Sequence, residues 1–240
     1  MNPYIPNKEI ELAARTGFLS KSLWLKYFAT GTVAWRNRVW KNFVYRGYFE
    51  PHPSRRANDV VVLNAKNLYV KKYAASLVQP PPVSVLDHDE IVVETYLRFE
   101  KLKSLAYSKF EAEIKKEYFS DKKNILLHQS VKFPDLLISL KGPVERKRIA
   151  IEVELSRKEP KRYRQMMSTL MEHKDISMVL FVTDLQSVKN AIRKAMRDTY
   201  FPEWEKPIGI VSLKQWVVDP FHAEIEFSNE VTTLVKMTSN

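Results

Sequence analysis

The segment RIAIEVELSRKEPKRYRQ, residues 148–165, sets two acids at alternate positions of an apolar run and follows them with a cluster of bases. Side chains alternate between the two faces of a β-strand, so Ala150, Glu152 and Glu154 should share one face. Two carboxylates about 7 Å apart on a covered strand repel each other and are costly to remove from water. We therefore expect a positive group beside them, and a divalent cation is the usual one.

A third acid, Asp135 of the run FPDLLISL, precedes this segment in the chain. The segment KGPVERK, residues 141–147, joins the two apolar runs, and its Gly-Pro pair predicts a hairpin turn. The hairpin would place Asp135 next to Glu152, where carboxylate oxygens suit Mg²⁺ or Mn²⁺. The alternative is that each glutamate is solvated, or paired with Lys147 or Arg148.

The second part of the chain alternates helical and strand patterns. Periodic apolar residues predict one long helix over residues 87–119. The order that follows indicates an α/β (α+β) domain with a mixed sheet. The predicted elements after the long helix are strands at 124–131, 133–140 and 148–155, a helix at 160–172, a strand at 177–184, a helix at 185–200 and a strand at 209–213.

Positive charge is concentrated at the start of the chain. Residues 1–80 hold 13 Lys and Arg against 4 Asp and Glu, a net charge of +9, whereas residues 81–240 hold 26 against 24, a net charge of +2. A polyanion is the natural partner of this asymmetry, and nucleic acid is the expected one. The alternative is a solvated basic surface that aids solubility.

The basic first 80 residues predict three helices and then a hairpin. The segment NAKN would turn a strand at 59–63 into a second strand at 68–73. The signals for the helices are N-caps at Asn7 and Ser20 and terminating glycines at Gly17, Gly31 and Gly47.

Three helices followed by a two-stranded wing resemble the winged-helix DNA-binding domains. This resemblance implies that the third helix enters the major groove and that Arg55 and Arg56 in the wing reach phosphates or the minor groove. The alternative is a winged helix used for protein contacts. The candidate DNA-binding residues of the third helix are Trp35, Arg36, Arg38, Lys41, Asn42 and Tyr45.

Three consecutive prolines stiffen the connector between the two regions. They predict a winged-helix domain at 1–80 and a second domain at 86–240. In the second domain, Pro134-Asp135 and Glu152 resemble the motif of the PD-(D/E)xK nucleases, the restriction-endonuclease-like superfamily. Glu154 departs from that motif, because most members have lysine at this position.

The winged helix, the Pro-Asp strand and the run AIEVELSRKEPKRY together resemble the replication-relaxation family and the related C-class plasmid mobilisation relaxases. This resemblance implies a Mg²⁺- or Mn²⁺-dependent endonuclease that nicks double-stranded, supercoiled plasmid DNA at an origin of transfer, with accessory mobilisation proteins as partners. Asp135, Glu152 and Glu154 would be metal ligands and, with Lys158, catalytic residues. The bases that would grip the DNA backbone nearby are Arg157, Lys161, Arg162 and Arg164.

Lys158 reaches the acids only if the chain turns at Ser156, and is otherwise a solvated lysine at a helix start. His88 and Glu94 on the predicted long helix are further candidates, although a cap or a solvated position suits both better. Two other functions stay open. One is a DNA-binding replication or transcription accessory protein with an inactive nuclease core, and the other is an ordinary restriction endonuclease.

Composition limits the remaining mechanisms. The chain has no cysteine, which excludes a disulfide framework, a cysteine-based zinc site and a thiol nucleophile. Its five histidines show no His-x-His pair, which weakens a relaxase that relies on three histidines and a tyrosine. We expect a cytoplasmic protein without a membrane segment.

Replacing Arg55 and Arg56 with alanine should weaken the binding of duplex DNA. Each lost phosphate contact should flatten the slope of log K against log salt concentration by about 0.9. Fluorescence anisotropy of the full chain at several salt concentrations measures both effects. Mn²⁺ affinity, measured by calorimetry, should not change, and a fall in it would contradict the division into two domains.

Overall fold

The computed structural model describes residues 4–54, 59–73, 77–120, 132–141, 146–173, 176–198, 207–228 and 230–239. The chain divides into two compact units, Met1–Val93 and Glu94–Asn240. Among the described residues, the first unit has a three-stranded antiparallel sheet and the second a seven-stranded mixed sheet, so the fold class is α/β as predicted. The division falls C-terminal to the proline run, inside the helix that begins at Leu86.

The described elements of the first unit follow the order helix, strand, helix, helix, strand, strand, helix, and the first six fit the order expected of a winged helix. Its sheet order is β1-β3-β2, so the last strand lies between the other two. The first strand, between the first two helices, was not expected from the sequence. The elements are α1 (Asn7–Thr16), β1 (Leu19–Ser20), α2 (Lys21–Tyr27), α3 (Val33–Tyr45), β2 (Phe49–Pro51), β3 (Val60–Leu63) and α4 (Leu68–Lys71).

Local hydrogen bonds account for the ends of these helices. The Ser20 hydroxyl accepts from the Leu23 backbone N–H at 3.2 Å, which confirms the predicted cap of α2. Asn7 is the first helical residue of α1, whereas Pro6 occupies the cap position without a side-chain bond, so the predicted Asn7 cap is wrong. Gly17 follows α1 in the left-handed region with φ of 85°.

The wing differs from the sequence prediction. Residues 68–73 do not form a strand, because Leu68–Lys71 is the short helix α4. The Asn67 side chain caps this helix by accepting from the Tyr69 backbone N–H at 2.9 Å, and Val70 is the buried residue of the helix. The hairpin is formed instead by β2 and β3, and Arg55 and Arg56 of the connecting loop lie outside the described residues.

An aromatic cluster fixes α3 to the first unit. Phe43 of α3 packs on Trp24 at 5.4 Å and on Phe49 at 5.3 Å between ring centroids, and Trp40 packs on Trp24 at 5.6 Å. Val44 of the same helix is exposed. The buried stripe of α3 is therefore narrow, and the opposite side of the helix faces outward.

The second unit begins within a helix and continues into the mixed sheet. The sheet order is β10-β9-β8-β7-β6-β5-β4, with β6, β7 and β8 parallel and the other pairs antiparallel. The elements are α5 (Leu86–Phe99), β4 (Leu105–Phe110), α6 (Glu111–Ser120), β5 (Leu136–Lys141), β6 (Arg146–Val153), α7 (Pro160–Glu172), β7 (Met178–Val182), α8 (Gln186–Asp198), β8 (Ile208–Val211), α9 (Leu213–Val218), β9 (Ile225–Glu226), β10 (Val231–Thr232) and α10 (Leu234–Ser239).

The single long helix predicted over residues 87–119 is wrong, because this segment contains α5, β4 and α6. Strand β4 pairs antiparallel with β5, from Leu105 opposite Leu140 to Phe110 opposite Leu136. A strand rich in aromatic and apolar residues gains more from this pairing than from continuing the helix. The predicted strand at 124–131 lies outside the described residues.

The parallel part of the sheet follows the prediction closely. Helices α7 and α8 and strands β7 and β8 lie where the sequence pattern indicated them. Buried residues of these elements and of β6 form one apolar cluster that includes Ala150, Tyr163, Met167, Phe181 and Ile192. This cluster holds the start of α7 against the end of β6. Among the described residues, no helix is both long and apolar enough to cross a lipid bilayer.

Replacing Gly17 with alanine should destabilise the first unit. A Cβ atom there would lie 2.4 Å from the Gln79 carbonyl oxygen, in addition to the strain of a left-handed φ. We expect the free energy of unfolding to fall by about 3 kcal/mol. Chemical denaturation of the full chain, followed by tryptophan fluorescence, measures this change.

Gly31→Ala is the matched control. Gly31 has φ of 82°, but a Cβ atom there would approach only the Trp35 ring at 3.5 Å. This variant carries the backbone strain without the clash and should lose about 1 kcal/mol. Equal losses for the two variants would contradict the close approach at Gly17.

Candidate active site

Asp135 and Glu152 lie side by side at the end of two paired strands. Strands β5 and β6 are antiparallel, and Leu136 is opposite Ile151, which confirms the predicted strand pairing. The Asp135 Oδ2 atom accepts a hydrogen bond from the Val153 backbone N–H at 2.8 Å. The carboxylate of Asp135 is thus anchored to the neighbouring strand, one residue from Glu152.

Both glutamates of β6 and its C-terminal extension are buried. The Glu152 side chain is 1% exposed, and Glu154 is also buried. Strand β6 is covered at both edges, since it pairs with β5 and β7, and the Glu154 backbone N–H continues the second ladder by donating to Val182. Solvated positions for the two acids are therefore excluded. Lys147, one of the partners considered from the sequence, instead donates to the Met237 carbonyl at 2.6 Å.

Lys132 supplies the positive group beside the first two acids. Its Nζ atom lies 3.3 Å from Glu152 Oε2, 3.6 Å from Asp135 Oδ1 and 3.9 Å from Glu111 Oε1. Glu111 is the first residue of α6, and its backbone N–H donates to the Asp135 carbonyl at 3.1 Å. Sequence reasoning missed both Lys132 and Glu111. The available signal for Lys132 was a base three residues before Asp135.

Lys158 does reach Glu154. Its Nζ atom lies 2.5 Å from Glu154 Oε1, because the chain bends at Leu155 and Ser156 before α7 begins. The bend is tied to the core by Tyr163, whose hydroxyl accepts from the Lys158 backbone N–H at 3.2 Å. The sequence predicted that Lys158 would reach the acids only if the chain turned at Ser156, and the chain does bend there.

The acids and lysines perturb one another's protonation. Burial raises the pKa of Glu152 well above its usual range, and the Asp135 carboxylate raises it further, whereas Lys132 acts against this shift. Burial also raises the pKa of Glu154, against the opposing effect of Lys158. Burial on its own would lower the pKa of Lys132, but the carboxylates of Glu152 and Asp135 more than compensate and raise it. Lys132 therefore keeps its charge.

Two acids of this cluster have the donor chemistry that suits a hard divalent cation. Asp135 and Glu152 offer carboxylate oxygens from adjacent strands, which are the ligands that Mg²⁺ prefers. The Glu152 Oε1 atom is buried and has no hydrogen-bond partner among the described residues. Within the described part of the chain, no three Asp, Glu or His side chains are grouped closely enough to hold a metal, and Glu154 is paired with Lys158.

The bases predicted to grip DNA near the acids lie on the loop after β6 and on the first turn of α7. They differ in exposure, since three of them are exposed and one is half-buried. The exposed side chains are Arg157, Lys161 and Arg162, and the half-buried one is Arg164. Three of the four cationic side chains are therefore accessible to a ligand.

A cleft of about 400 Å³ lies beside the same strands, and Pro134, the neighbour of Asp135, lines it. Two further bases belong to this cleft. The Lys109 Nζ and Arg148 Cζ atoms lie 5.5 Å and 5.7 Å from the centroid of the Tyr107 ring. The cleft also contains an acid, Glu117, which pairs with Lys109 at 2.5 Å.

The candidate DNA-binding residues of α3 lie on its outward side. Tyr45 is 88% exposed, and Arg38 and Lys41 are exposed as well. The remaining predicted side chains, Trp35, Arg36 and Asn42, are half-buried. The helix therefore exposes one aromatic ring and two cationic side chains of the predicted set.

The two weaker candidates have local partners. A ring nitrogen of His88 lies 2.8 Å from Asp89, and Glu94 accepts from Arg98 at 2.9 Å. These contacts agree with the preference for structural positions stated above. The helical acid near the cluster is Glu111 rather than Glu94.

Comparison with known proteins supplies no relative. No family model matches the chain, and neither the curated proteins nor the solved structures contain a match. The resemblance to the relaxases therefore stays a prediction from the sequence motifs.

Replacing Lys132 with methionine should destabilise the second unit more at about pH 8 than at about pH 5. The pKa of Glu152 is higher in the folded protein than in the unfolded chain, so the folded state binds the proton more tightly. The free energy of unfolding therefore falls as pH rises through this range, and loss of the ammonium steepens the fall. We expect a loss of about 3 kcal/mol at the higher pH and less at the lower, measured by urea denaturation.

Lys115→Met removes the same charge from a neighbouring pair. Lys115 contacts Glu111 at 2.9 Å on the surface of α6, so its replacement should lower stability by less than about 1 kcal/mol at either pH. A Lys132→Met loss that does not depend on pH would contradict the electrostatic role of Lys132.

Proposed function

We propose that this protein is a DNA-binding, metal-dependent endonuclease of the relaxase type, which nicks plasmid DNA at an origin of transfer. The observation that carries the proposal is the pair of carboxylates on adjacent strands of a mixed sheet, Glu152, which is buried, and Asp135, which is half-buried. Such a pair is costly for the fold, and it suits a site where a cation and a phosphate would be bound.

Asp135 and Glu152 would hold Mg²⁺ or Mn²⁺, which lowers the pKa of a bound water and offsets charge on the scissile phosphate. The chain's own residues orient this site. The Val153 backbone N–H fixes one oxygen of Asp135, and the other oxygen faces Lys132. The Lys158 ammonium, held by Glu154, is available to orient the attacking water or to contact the phosphate.

Binding of DNA is supported by charge and exposure. Residues 1–80 carry a net charge of +9, and the outward side of α3 carries exposed Arg38 and Lys41. In the second unit, the exposed bases Arg157 and Lys161 follow the acids. Neutralisation of phosphates by such cations supplies most of the affinity for a duplex.

The finer assignment, a relaxase that starts conjugative mobilisation, is supported by the combination of a winged-helix unit with these acids. The partners would be supercoiled plasmid DNA and accessory mobilisation proteins, in the cytoplasm. Absence of cysteine suits that compartment.

A second candidate is a DNA-binding accessory protein for replication or transcription whose nuclease core is inactive. One observation favours it. The ammonium groups of Lys132 and Lys158 lie among the carboxylates, and Glu154 stands where most nucleases of this superfamily have lysine. The two candidates differ in whether the core cuts DNA.

Nicking of supercoiled plasmid separates these functions. The protein should convert a plasmid that carries its own origin of transfer to the open-circular form with Mg²⁺ or Mn²⁺, and not with EDTA. Asp135→Asn and Glu152→Gln should each abolish nicking and leave DNA binding intact, because these acids hold the cation. Gel electrophoresis and anisotropy measure the two activities.

Glu159→Gln is the control, since Glu159 is an exposed acid of the loop between β6 and α7 and its side chain makes no cap hydrogen bond to α7. This variant should nick normally. A plasmid without the origin tests the relaxase assignment, because nicking of both plasmids would indicate a non-specific nuclease. Full nicking by both acid variants would refute the proposed active site, and binding without nicking by the wild type would favour the accessory protein.

A further inference from the structure

Lys132 places its ammonium between the two carboxylates of the candidate active site, 3.3 Å from Glu152 and 3.6 Å from Asp135. We propose that Lys132 is a built-in counter-ion that competes with the divalent cation for these carboxylates and thereby lowers the cation affinity of the site. This inference rests on the proposed function, because it concerns the cation of that site.

The ammonium uses the oxygens that a cation between the two strands would need. Asp135 Oδ2 is engaged by the Val153 backbone N–H, and Oδ1 is the oxygen that faces Lys132. Glu152 faces Lys132 with Oε2, while its Oε1 has no partner among the described residues. Occupancy by a cation and by the ammonium is therefore mutually exclusive at these oxygens, since the two positive groups would repel at contact distance.

Charge balance agrees with displacement of the lysine. With all groups ionised, Asp135, Glu152 and Glu154 against Lys132 and Lys158 give a formal charge of −3 + 2 = −1. If Lys132 withdraws, the remaining charge is −3 + 1 = −2, which one divalent cation neutralises. The cluster therefore matches either one resident ammonium with a residual charge, or one divalent cation with none.

Lys132 is able to withdraw, because its side chain is 27% exposed and a lysine stem is flexible. The ammonium can reach water while the buried carboxylates stay in place. The Lys158 side chain has a similar exposure of 26%, but it differs in its closer contact with Glu154 at 2.5 Å and in following a bend fixed by Tyr163. Withdrawn from the acids, Lys132 is placed to contact a phosphate that approaches the cation.

Calorimetric titration with Mn²⁺, on chelator-treated full-length protein without DNA, tests this role. Lys132→Met and Lys132→Gln should each bind Mn²⁺ about tenfold or more tightly than the wild type, because no ammonium has to be displaced. Lys132→Arg keeps the charge and should bind no more tightly than the wild type. Lys115→Met, which loses an equal charge from a pair with Glu111 only, should change the Kd by less than about twofold.

Circular dichroism checks that each variant is folded. If Lys132→Met does not fold, the Mn²⁺ affinity of Lys132→Gln decides the test. If the wild type binds one Mn²⁺ and neither Lys132 variant binds more tightly, the counter-ion role is refuted and the proposed function stands. If neither the wild type nor a Lys132 variant binds Mn²⁺, the metal site and the proposed function fail together. Mn²⁺ binding that appears only after Lys132 is replaced supports the competition directly.

Discussion

The buried carboxylate of Glu152 is the constraint around which the second unit is arranged. Removing such a charge from water costs several kcal/mol unless neighbouring groups compensate. Compensation comes from Lys132, which precedes β5, and the carboxylate of Asp135 lies at the start of the same strand. A slip of one residue between β5 and β6 would turn Glu152 to the other face of the sheet and leave the ammonium without it. The electrostatic contact and the strand register therefore depend on each other.

The elements that the sequence predicted well are those with a clear change of period. Helix α7 and strand β7 are separated by a short connection, and each carries an apolar pattern that fits one structure only. Residues 105–110 lack this property, since their apolar side chains continue a helical stripe from α5 as easily as they alternate along a strand. Pairing with β5 decides between the two, and a pairing between distant segments leaves no trace in a local pattern.

Residues 68–73 show the same limit at a smaller scale. Their apolar and aromatic composition is typical of a strand, but the Asn67 side chain starts a helix and Val70 is buried on one side of it. The hydrogen bond from the Tyr69 backbone N–H to the Asn67 side chain favours a helix over strand pairing. The sequence alone does not show whether this backbone N–H will bond to the Asn67 side chain or to a neighbouring strand. The hairpin consequently moves to β2 and β3, on either side of the loop that carries Arg55 and Arg56.

The candidate site was predictable to the extent that it depends on strand alternation. Asp135 and Glu152 lie together because the two strands pair as a hairpin would, which the Gly-Pro segment indicated. Lys132 was not predictable, since its reach toward Glu152 depends on the path of the chain before β5. Lys158 required the bend before α7, which depends on a hydrogen bond to the buried Tyr163.

The stability cost of these acids is an argument that they serve a function. Ile151 and Val153, on either side of Glu152, are fully buried apolar residues of the same strand, so the sheet already has a core without the acids. Apolar residues of similar volume in place of a buried ion pair are often neutral or stabilising for a fold. The cluster of Asp135, Glu152 and Lys132 therefore favours one strand register without adding stability that apolar side chains could not supply. Its use has to be sought in what two converging carboxylates can bind, which is the reason that we place the chemistry of the protein at this point.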